Sequence, residues 1–222
     1  MLFLSEITTF FQEQLLIDIT ETNFLWSLVF ALQNWICWMI IPTFEYKFNI
    51  LSRFLGGDKG RANDMFAYAM IHTGAIRNLY YHEAINNNTI LDYGVFGLGI
   101  EILGALMAIF GFVLIFGSYY RLGMRNMYFG DYFGFTFKEM ITAFPYNRFD
   151  NPQYIGTTCF FLGLSIFHHS PTGVLLTFIT WGLYSLYFML EERMLIEFYP
   201  APTTTKNKNT VIADAKKSIK SE

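Results

Sequence analysis

Two adjacent carboxylates, Glu191 and Glu192, follow directly after the last apolar run of the chain. We predict that the last helix ends near this pair. The carboxyl end of a helix carries partial negative charge, so acidic side chains there oppose the helix dipole. Acids in this position are easier to explain when they bind a cation. A solvated acidic pair at a helix end is the competing interpretation, and it needs no ligand.

A short polar and aromatic segment lies between the apolar runs that precede this pair. It contains Gly130-Asp131-Tyr132-Phe133-Gly134, and its two glycines predict a tight turn. Asp131 could pair with Arg121 or Arg125, or face a bound headgroup. The basic residues of the segment suit an anionic phosphate. Asp131 and Arg125 are therefore candidates for headgroup binding.

Asp150-Asn151-Pro152 predicts the start of the next helix, because Asp or Asn caps a helix well and Pro fits the first turn. Tyr154 and Gly156 follow within one turn. Most of this pattern is structural, but both residues are also candidates for lining a pocket.

The order of these elements resembles the phosphatidylethanolamine/phospholipid N-methyltransferases, in particular the small, single-core branch of that family. The resemblance covers about residues 25–200 and extends to further short matches, namely Glu45-Tyr46, Gly56-Gly57 and Ala75-Ile76-Arg77 with Tyr80-Tyr81. It implies an enzyme dependent on S-adenosylmethionine. The expected activity is N-methylation of phosphatidylethanolamine and/or its mono- and dimethyl derivatives to make phosphatidylcholine. The implied location is the endoplasmic reticulum membrane, with mitochondrial membranes as a second possibility.

The same resemblance assigns the methyl donor's site. It implies that Glu191 and Glu192 bind S-adenosylmethionine and that Tyr154 and Gly156 line the pocket. The family's Gly-x-Gly element falls on Ile109-Phe110-Gly111, where isoleucine replaces the first glycine. Phe110 and Gly111 are thus further candidates, and we expect Ile109 to narrow the cleft. The sequence does not identify a general base, and no metal site is expected.

Two alternatives stay open. One is an isoprenoid-cysteine carboxyl methyltransferase-like enzyme or a sterol-reductase-like relative, although such carboxyl methyltransferases show an Arg-His-Pro element where this chain has Asp150-Asn151-Pro152. The other is a non-catalytic membrane scaffold subunit, for which Ile109 is the best support.

The composition indicates that a bilayer is the solvent. The 222 residues are 53% hydrophobic and only 15% charged, whereas soluble domains carry about 25% charged residues. The net charge is −3 and no basic stripe is present, which argues against nucleic acid binding. Cys37 and Cys159 lie in apolar runs, and this favours thiols within helices over a disulfide or a metal site.

A membrane helix needs about 20 mostly apolar residues. The chain therefore predicts an all-α polytopic helical bundle of about four to five membrane segments, namely 24–44, 65–81, 93–118, 153–168 and 172–190. The predicted domains are an acidic amphipathic segment (1–23), a membrane domain (24–200) and a polar, Lys-rich, disordered tail (201–222). No oligomeric state follows from this pattern.

Loop charges orient the segments. Lys and Arg are concentrated in loops 45–64 and 119–152 and in the tail, whereas 82–92 has none. By the positive-inside rule the basic loops face the cytosol and 82–92 faces the lumen. We predict five crossings with a lumenal N-terminus.

Three ionisable residues, His72, Arg77 and Glu101, fall inside predicted membrane segments, where such residues are functional candidates. Arg77 and Glu101 are predicted near the lumenal end, where snorkelling or mutual pairing is the simpler explanation.

Overall fold

The computed structural model describes the backbone of residues 2–137 and 141–198 and the side chains of residues 6–137 and 141–189. Every regular element in this part of the chain is helical, as predicted. The helices are α1 (Leu2–Gln14), α2 (Thr22–Phe48), α3 (Ile50–Phe54), α4 (Lys59–Asn87), α5 (Gly97–Met127), α6 (Pro152–Phe167) and α7 (Pro171–Phe198). Short 3₁₀ turns occupy Gly94–Phe96 and Gly130–Phe133.

The chain divides into two compact units, Met1–Phe188 and Met189–Glu222. The first contains all the packing described below. Of the second, the described part is the helical backbone up to Phe198. The predicted disordered tail, 201–222, lies outside the described residues.

Three helical segments are long and apolar enough to cross a membrane, namely Thr22–Phe48, Gly94–Phe133 and Pro171–Met189. The other two predicted segments do not meet both conditions within the described chain. Helix α4 has 29 residues but a more polar composition, and α6 is apolar but has only 16 residues. The fold is therefore that of a helical membrane protein, and the count of five crossings stays a prediction.

The helix boundaries follow local capping signals. The Glu21 side chain accepts a hydrogen bond from Phe24 N at the start of α2, and Asp58 does the same for Arg61 N at the start of α4. Helix α6 begins at Pro152 as predicted, but the Asn151 side chain forms no capping hydrogen bond. The predicted break between the last two helices is confirmed, since α7 begins at Pro171.

Helices α5 and α6 are antiparallel and pack backbone to backbone. Gly104 and Gly111 lie seven residues apart on α5, as Gly156 and Gly163 do on α6. A Cβ on Gly104 would lie 2.7 Å from the Gly163 carbonyl oxygen, and one on Gly111 would lie 2.5 Å from the Gly156 carbonyl oxygen. Small residues are typical of close helix contacts in membranes because they let backbones approach. This glycine contact holds α6 along α5.

A buried hydroxyl joins α4 to the α6–α7 hairpin. The Tyr81 hydroxyl lies 2.7 Å from Ser165 Oγ, 3.1 Å from Thr177 Oγ1, 3.0 Å from the Phe161 carbonyl oxygen and 3.2 Å from the Gly173 carbonyl oxygen. Such a shared network specifies one relative position of the three helices, because each polar group needs its partners when water is absent.

Candidate functional site

Five rings from four parts of the chain meet near one end of the bundle. This aromatic cluster consists of Trp38 on α2, Phe129 before the second 3₁₀ turn, Tyr154 on α6, and Tyr184 and Tyr187 on α7. Trp38 stacks on Tyr184 with centroids 5.7 Å apart, and Tyr154 lies 5.2 Å from Tyr184. Phe129 lies 5.5 Å from Tyr187 and 5.8 Å from Trp38. Aromatic faces attract cations, most strongly where water is excluded.

The turn beside the cluster is anchored from α4. Phe133 is buried and its ring lies 6.0 Å from that of Phe66. Asn63 Nδ2 donates to the Tyr128 carbonyl oxygen at 2.8 Å. Phe129 and Gly134, which flank the turn, have φ angles of 61° and 91°, so the chain reverses sharply here. The predicted tight turn is confirmed, and Asp131 lies within it.

Arg125 forms a bidentate ion pair with Asp64. Its Nε and Nη2 lie 2.8 Å and 2.9 Å from the two carboxylate oxygens. The hydrogen bond from Arg125, together with its charge, holds the pKa of Asp64 below the usual carboxyl value. Arg121 instead donates to the Phe144 carbonyl oxygen at 3.1 Å. The carboxylate partner of Arg125 is thus on α4, because the start of α4 lies beside the end of α5.

The glycine contact between α5 and α6 accounts for Gly111 and Gly156, since each lies against the other helix's backbone. The neighbouring side chains on α5 face outward. Phe110 is 46% exposed, with its ring 6.2 Å from that of Phe149, and Ile109 is 60% exposed. Between α5 and α6, therefore, the two glycines serve helix packing.

Helix α7 continues to Phe198. The predicted helix end near residue 190 was therefore wrong, because the segment after the apolar run keeps strong helix formers such as Met, Leu, Glu and Arg. Glu191 and Glu192 lie within the helix and not at its end, so the argument from the helix dipole does not apply to them. Their side chains lie outside the described residues.

The ionisable residues of the predicted membrane segments have local partners. His72 Nδ1 lies 2.7 Å from the Tyr68 carbonyl oxygen. Glu101 lies 3.9 Å from His169, whereas Arg77 hydrogen-bonds to a neighbouring amide and contacts α6 and α7. Of the two explanations given for Arg77 and Glu101, mutual pairing is wrong, because packing turns the two side chains to different neighbours.

Comparison with known proteins gives the family. Residues 100–201 match the family model for phospholipid methyltransferases. The chain is 31% identical to the phosphatidyl-N-methylethanolamine N-methyltransferase of Schizosaccharomyces pombe, over 86% of this chain and 96% of that relative. The chain belongs to the phospholipid methyltransferase family.

Other members of this phospholipid methyltransferase family match to a similar extent. Phosphatidylethanolamine N-methyltransferase A of Dictyostelium discoideum is 29% identical over 87% of this chain and 91% of its own length. Phosphatidylethanolamine N-methyltransferase of Mus musculus is 29% identical over 87% of this chain and 96% of its own length. No solved structure shows significant similarity to the chain.

Within this phospholipid methyltransferase, sequence reasoning identified Tyr154 but missed the other four rings of the aromatic cluster. For two of these rings the sequence does indicate a shared position, because Tyr184 and Tyr187 are three residues apart and therefore lie on one face of α7. No local pattern indicates that Trp38 and Phe129 belong to the cluster. They join the cluster from α2 and from the turn, and only the packing of distant segments brings them to α7.

Proposed function

We propose that this chain transfers methyl groups from S-adenosylmethionine to the amine of phosphatidylethanolamine and/or its mono- and dimethyl derivatives, giving phosphatidylcholine. The observation that carries the proposal is the similarity to named phospholipid N-methyltransferases over at least 91% of the length of the three relatives described above. Relatives named for the unmethylated and the monomethylated acceptor match about equally. The starting acceptor is therefore left to experiment.

S-adenosylmethionine supplies an electrophilic methyl group on a positively charged sulfur. The lipid nitrogen must present a free lone pair, so its ammonium loses a proton to solvent water before transfer. With the methyl donor bound, the new N–C bond would form as the C–S bond breaks, and the donor would leave as a neutral thioether. We assign orientation of the nitrogen to the aromatic cluster. Its exclusion of water disfavours the protonated amine, while its ring faces accommodate the permanently cationic final product.

The residues proposed to bind the methyl donor differ in how directly they could contact it. Phe110 presents a half-exposed ring beside Phe149, and a flat apolar surface of this kind suits a purine. Gly111 and Gly156 would act indirectly, by keeping α5 and α6 close. For Glu191 and Glu192 the proposal rests on the sequence alone. Their carboxylates would hold the donor's cationic groups.

Asp131 and Arg125 lie at the end of the bundle predicted to face the cytosol. We assign them to the entry of the lipid headgroup, where the Asp64–Arg125 pair presents both charges to a zwitterion. We place the enzyme in the endoplasmic reticulum, with mitochondrial membranes as the alternative. Fractionation of cells that express the tagged chain tests this location.

The activity is tested with microsomes that contain or lack the expressed chain. Each is incubated with radiolabelled S-adenosylmethionine and, in separate reactions, with phosphatidylethanolamine and its monomethyl and dimethyl derivatives. We expect label to enter at least one acceptor in a chain-dependent manner, and the acceptor with the highest kcat/KM is the preferred start. If no acceptor is labelled above the level of the chain-free microsomes, the proposed activity is wrong.

A further inference from the structure

Arg77 is a cation within the helical bundle that has no anionic partner among the described side chains. It is the one Lys or Arg among the described residues that is not classed as exposed. Its Nη1 lies 3.4 Å from the Tyr184 hydroxyl, and its guanidinium lies 5.0 Å above the Phe161 ring. Nε and Nη2 donate to the neutral Asn78 amide oxygen at 3.2 Å and 2.9 Å. In the described part of the chain no carboxylate lies within 4.0 Å of Arg77.

A second polar group, the indole N–H of Trp35, lies beside Arg77. Trp35 Nε1 is buried, and no described residue accepts its hydrogen. The neighbouring Asn34 Oδ1 already accepts from Thr73 Oγ1 at 2.6 Å. Trp35 and Arg77 line the same small cavity between α2, α4 and α7. An indole N–H without an acceptor, beside a guanidinium that no described carboxylate neutralises, favours a ligand that brings anionic acceptor oxygens.

This cavity shares two of its walls with the aromatic cluster. Trp38 and Tyr184 line the cavity, and their stacked rings also belong to the cluster. A ligand that contacts both regions would meet a guanidinium at one end and aromatic faces at the other. That combination complements a zwitterion with its phosphate and its amine a few bonds apart.

We infer that Arg77, assisted by the Trp35 indole N–H, binds the phosphate of the phospholipid whose amine is methylated. The inference rests on the proposed function and adds a determinant of specificity, namely that the enzyme prefers an amine attached to a phosphate. The cavity is about 10 Å³, room for one water molecule. Binding therefore requires the Trp38–Tyr184 ring pair to move apart, which opens the cavity toward the cluster.

The test compares two acceptors that differ only in the phosphate. One is phosphatidyl-N-methylethanolamine. The other is a diacylglycerol ether of N-methylaminoethanol, which keeps the secondary amine and the acyl chains but lacks the phosphate. The full-length chain in mixed micelles is assayed for kcat/KM with both acceptors. Arg77→Gln is the test variant, Arg77→Lys keeps the charge, and Arg53→Gln removes an exposed cation on α3 as the control.

We expect the wild-type chain to prefer the phospholipid. Arg77→Gln should lower kcat/KM for the phospholipid about ten- to a hundredfold, the usual range for a charge-assisted hydrogen bond. Arg77→Gln should change kcat/KM for the acceptor that lacks the phosphate by less than about twofold. Arg77→Lys should recover part of the preference, and Arg53→Gln should keep all of it. An equal loss with both acceptors, or a wild-type chain without preference, would overturn the inference.

Direct binding separates this inference from the proposed activity. The same variants are titrated with fluorescent forms of the two lipids in detergent. Weaker binding of the phospholipid alone to Arg77→Gln supports the phosphate contact even if the wild-type chain methylates no lipid. Equal affinity of the wild-type chain and Arg77→Gln for the phospholipid contradicts the contact, whatever the activity. If Arg77→Gln does not fold, Arg77→Lys carries the comparison, because its single ammonium should bind the phospholipid more weakly than the guanidinium fork.

Discussion

Gly111 on α5 and Gly156 on α6 each occupy the space that a side chain on the other would need. A Cβ on Gly111 would lie 2.5 Å from the Gly156 carbonyl oxygen, and a Cβ on Gly156 would lie 2.8 Å from the Gly111 carbonyl oxygen. The obstructing atoms are backbone atoms, so a side-chain rotation cannot relieve the overlap.

Gly111→Ala should therefore destabilise the protein by about 1–3 kcal/mol, because the two helices must separate. Gly99→Ala on the same helix is the matched control, since nothing lies within 4 Å of its Cβ position. Thermal unfolding of the purified variants in detergent measures the difference. Equal melting temperatures for the two variants would contradict the glycine contact.

Tyr81→Phe should lower the free energy of unfolding by about 1 kcal/mol, because it removes the hydroxyl shared by α4, α6 and α7. The loss is limited because Ser165 and Thr177 keep hydrogen bonds to carbonyl oxygens of their own helices. Tyr80→Phe is the control, since the Tyr80 ring stacks on Phe30 and phenylalanine preserves that contact. If Tyr80→Phe costs as much as Tyr81→Phe, the hydroxyl network is not the cause.

Glu191→Gln and Glu192→Gln remove the proposed negative charge and keep size and hydrogen-bonding capacity. Each should raise the KM for S-adenosylmethionine about ten- to a hundredfold, since a charge-assisted hydrogen bond contributes roughly 1.5–3 kcal/mol. Glu197→Gln, further along α7, should leave the KM unchanged. Normal activity of both glutamine variants at limiting S-adenosylmethionine would show that the two carboxylates do not bind the methyl donor and are only a solvated part of the helix.

The Asp64–Arg125 pair should stabilise the protein at neutral pH and lose its effect in acid. The pKa of Asp64 is lowered from 3.8 by the hydrogen bond and charge of Arg125. A carboxyl group whose pKa is lower in the folded state stabilises the protein at pH values above its unfolded-state pKa. This stabilisation is lost as the pH falls through its folded-state pKa. Both side chains are exposed and water screens the pair, so the effect should be small. The melting temperatures of wild type and Asp64→Asn should differ at pH 7 and converge below about pH 4.

The orientation can be tested by glycosylation. Asn87-Asn88-Thr89 is a sequon in the segment predicted to face the lumen. An insert carrying a second sequon, placed between Thr89 and Ile90, avoids the Asn88 side chain, which binds the Asp18 backbone. This insert should be glycosylated, and one at residue 140 should not. The reverse result would invert the topology.

Two elements that frame the site could be anticipated from local sequence. The 3₁₀ turn at Gly130–Phe133 and the start of α6 at Pro152 follow from glycine and proline, whose backbone preferences do not depend on distant residues. The role of Gly111 and Gly156 could not be anticipated in the same way. A glycine in a helix marks a close approach, but whether a ligand or another helix approaches depends on what packs there.

The sequence by itself determined the helical membrane class and most helix positions, because apolar run length and capping residues act within a few turns. Tertiary structure decided which side chains meet. It paired Arg125 with Asp64, turned Arg77 toward Tyr184 and away from Glu101, and joined Trp38 to rings more than 90 residues away. These contacts depend on the orientation of α4 and α5 about their own axes and on their positions along the neighbouring helices. Glycine contacts and buried hydrogen bonds between distant segments set that arrangement, and local periodicity does not encode it.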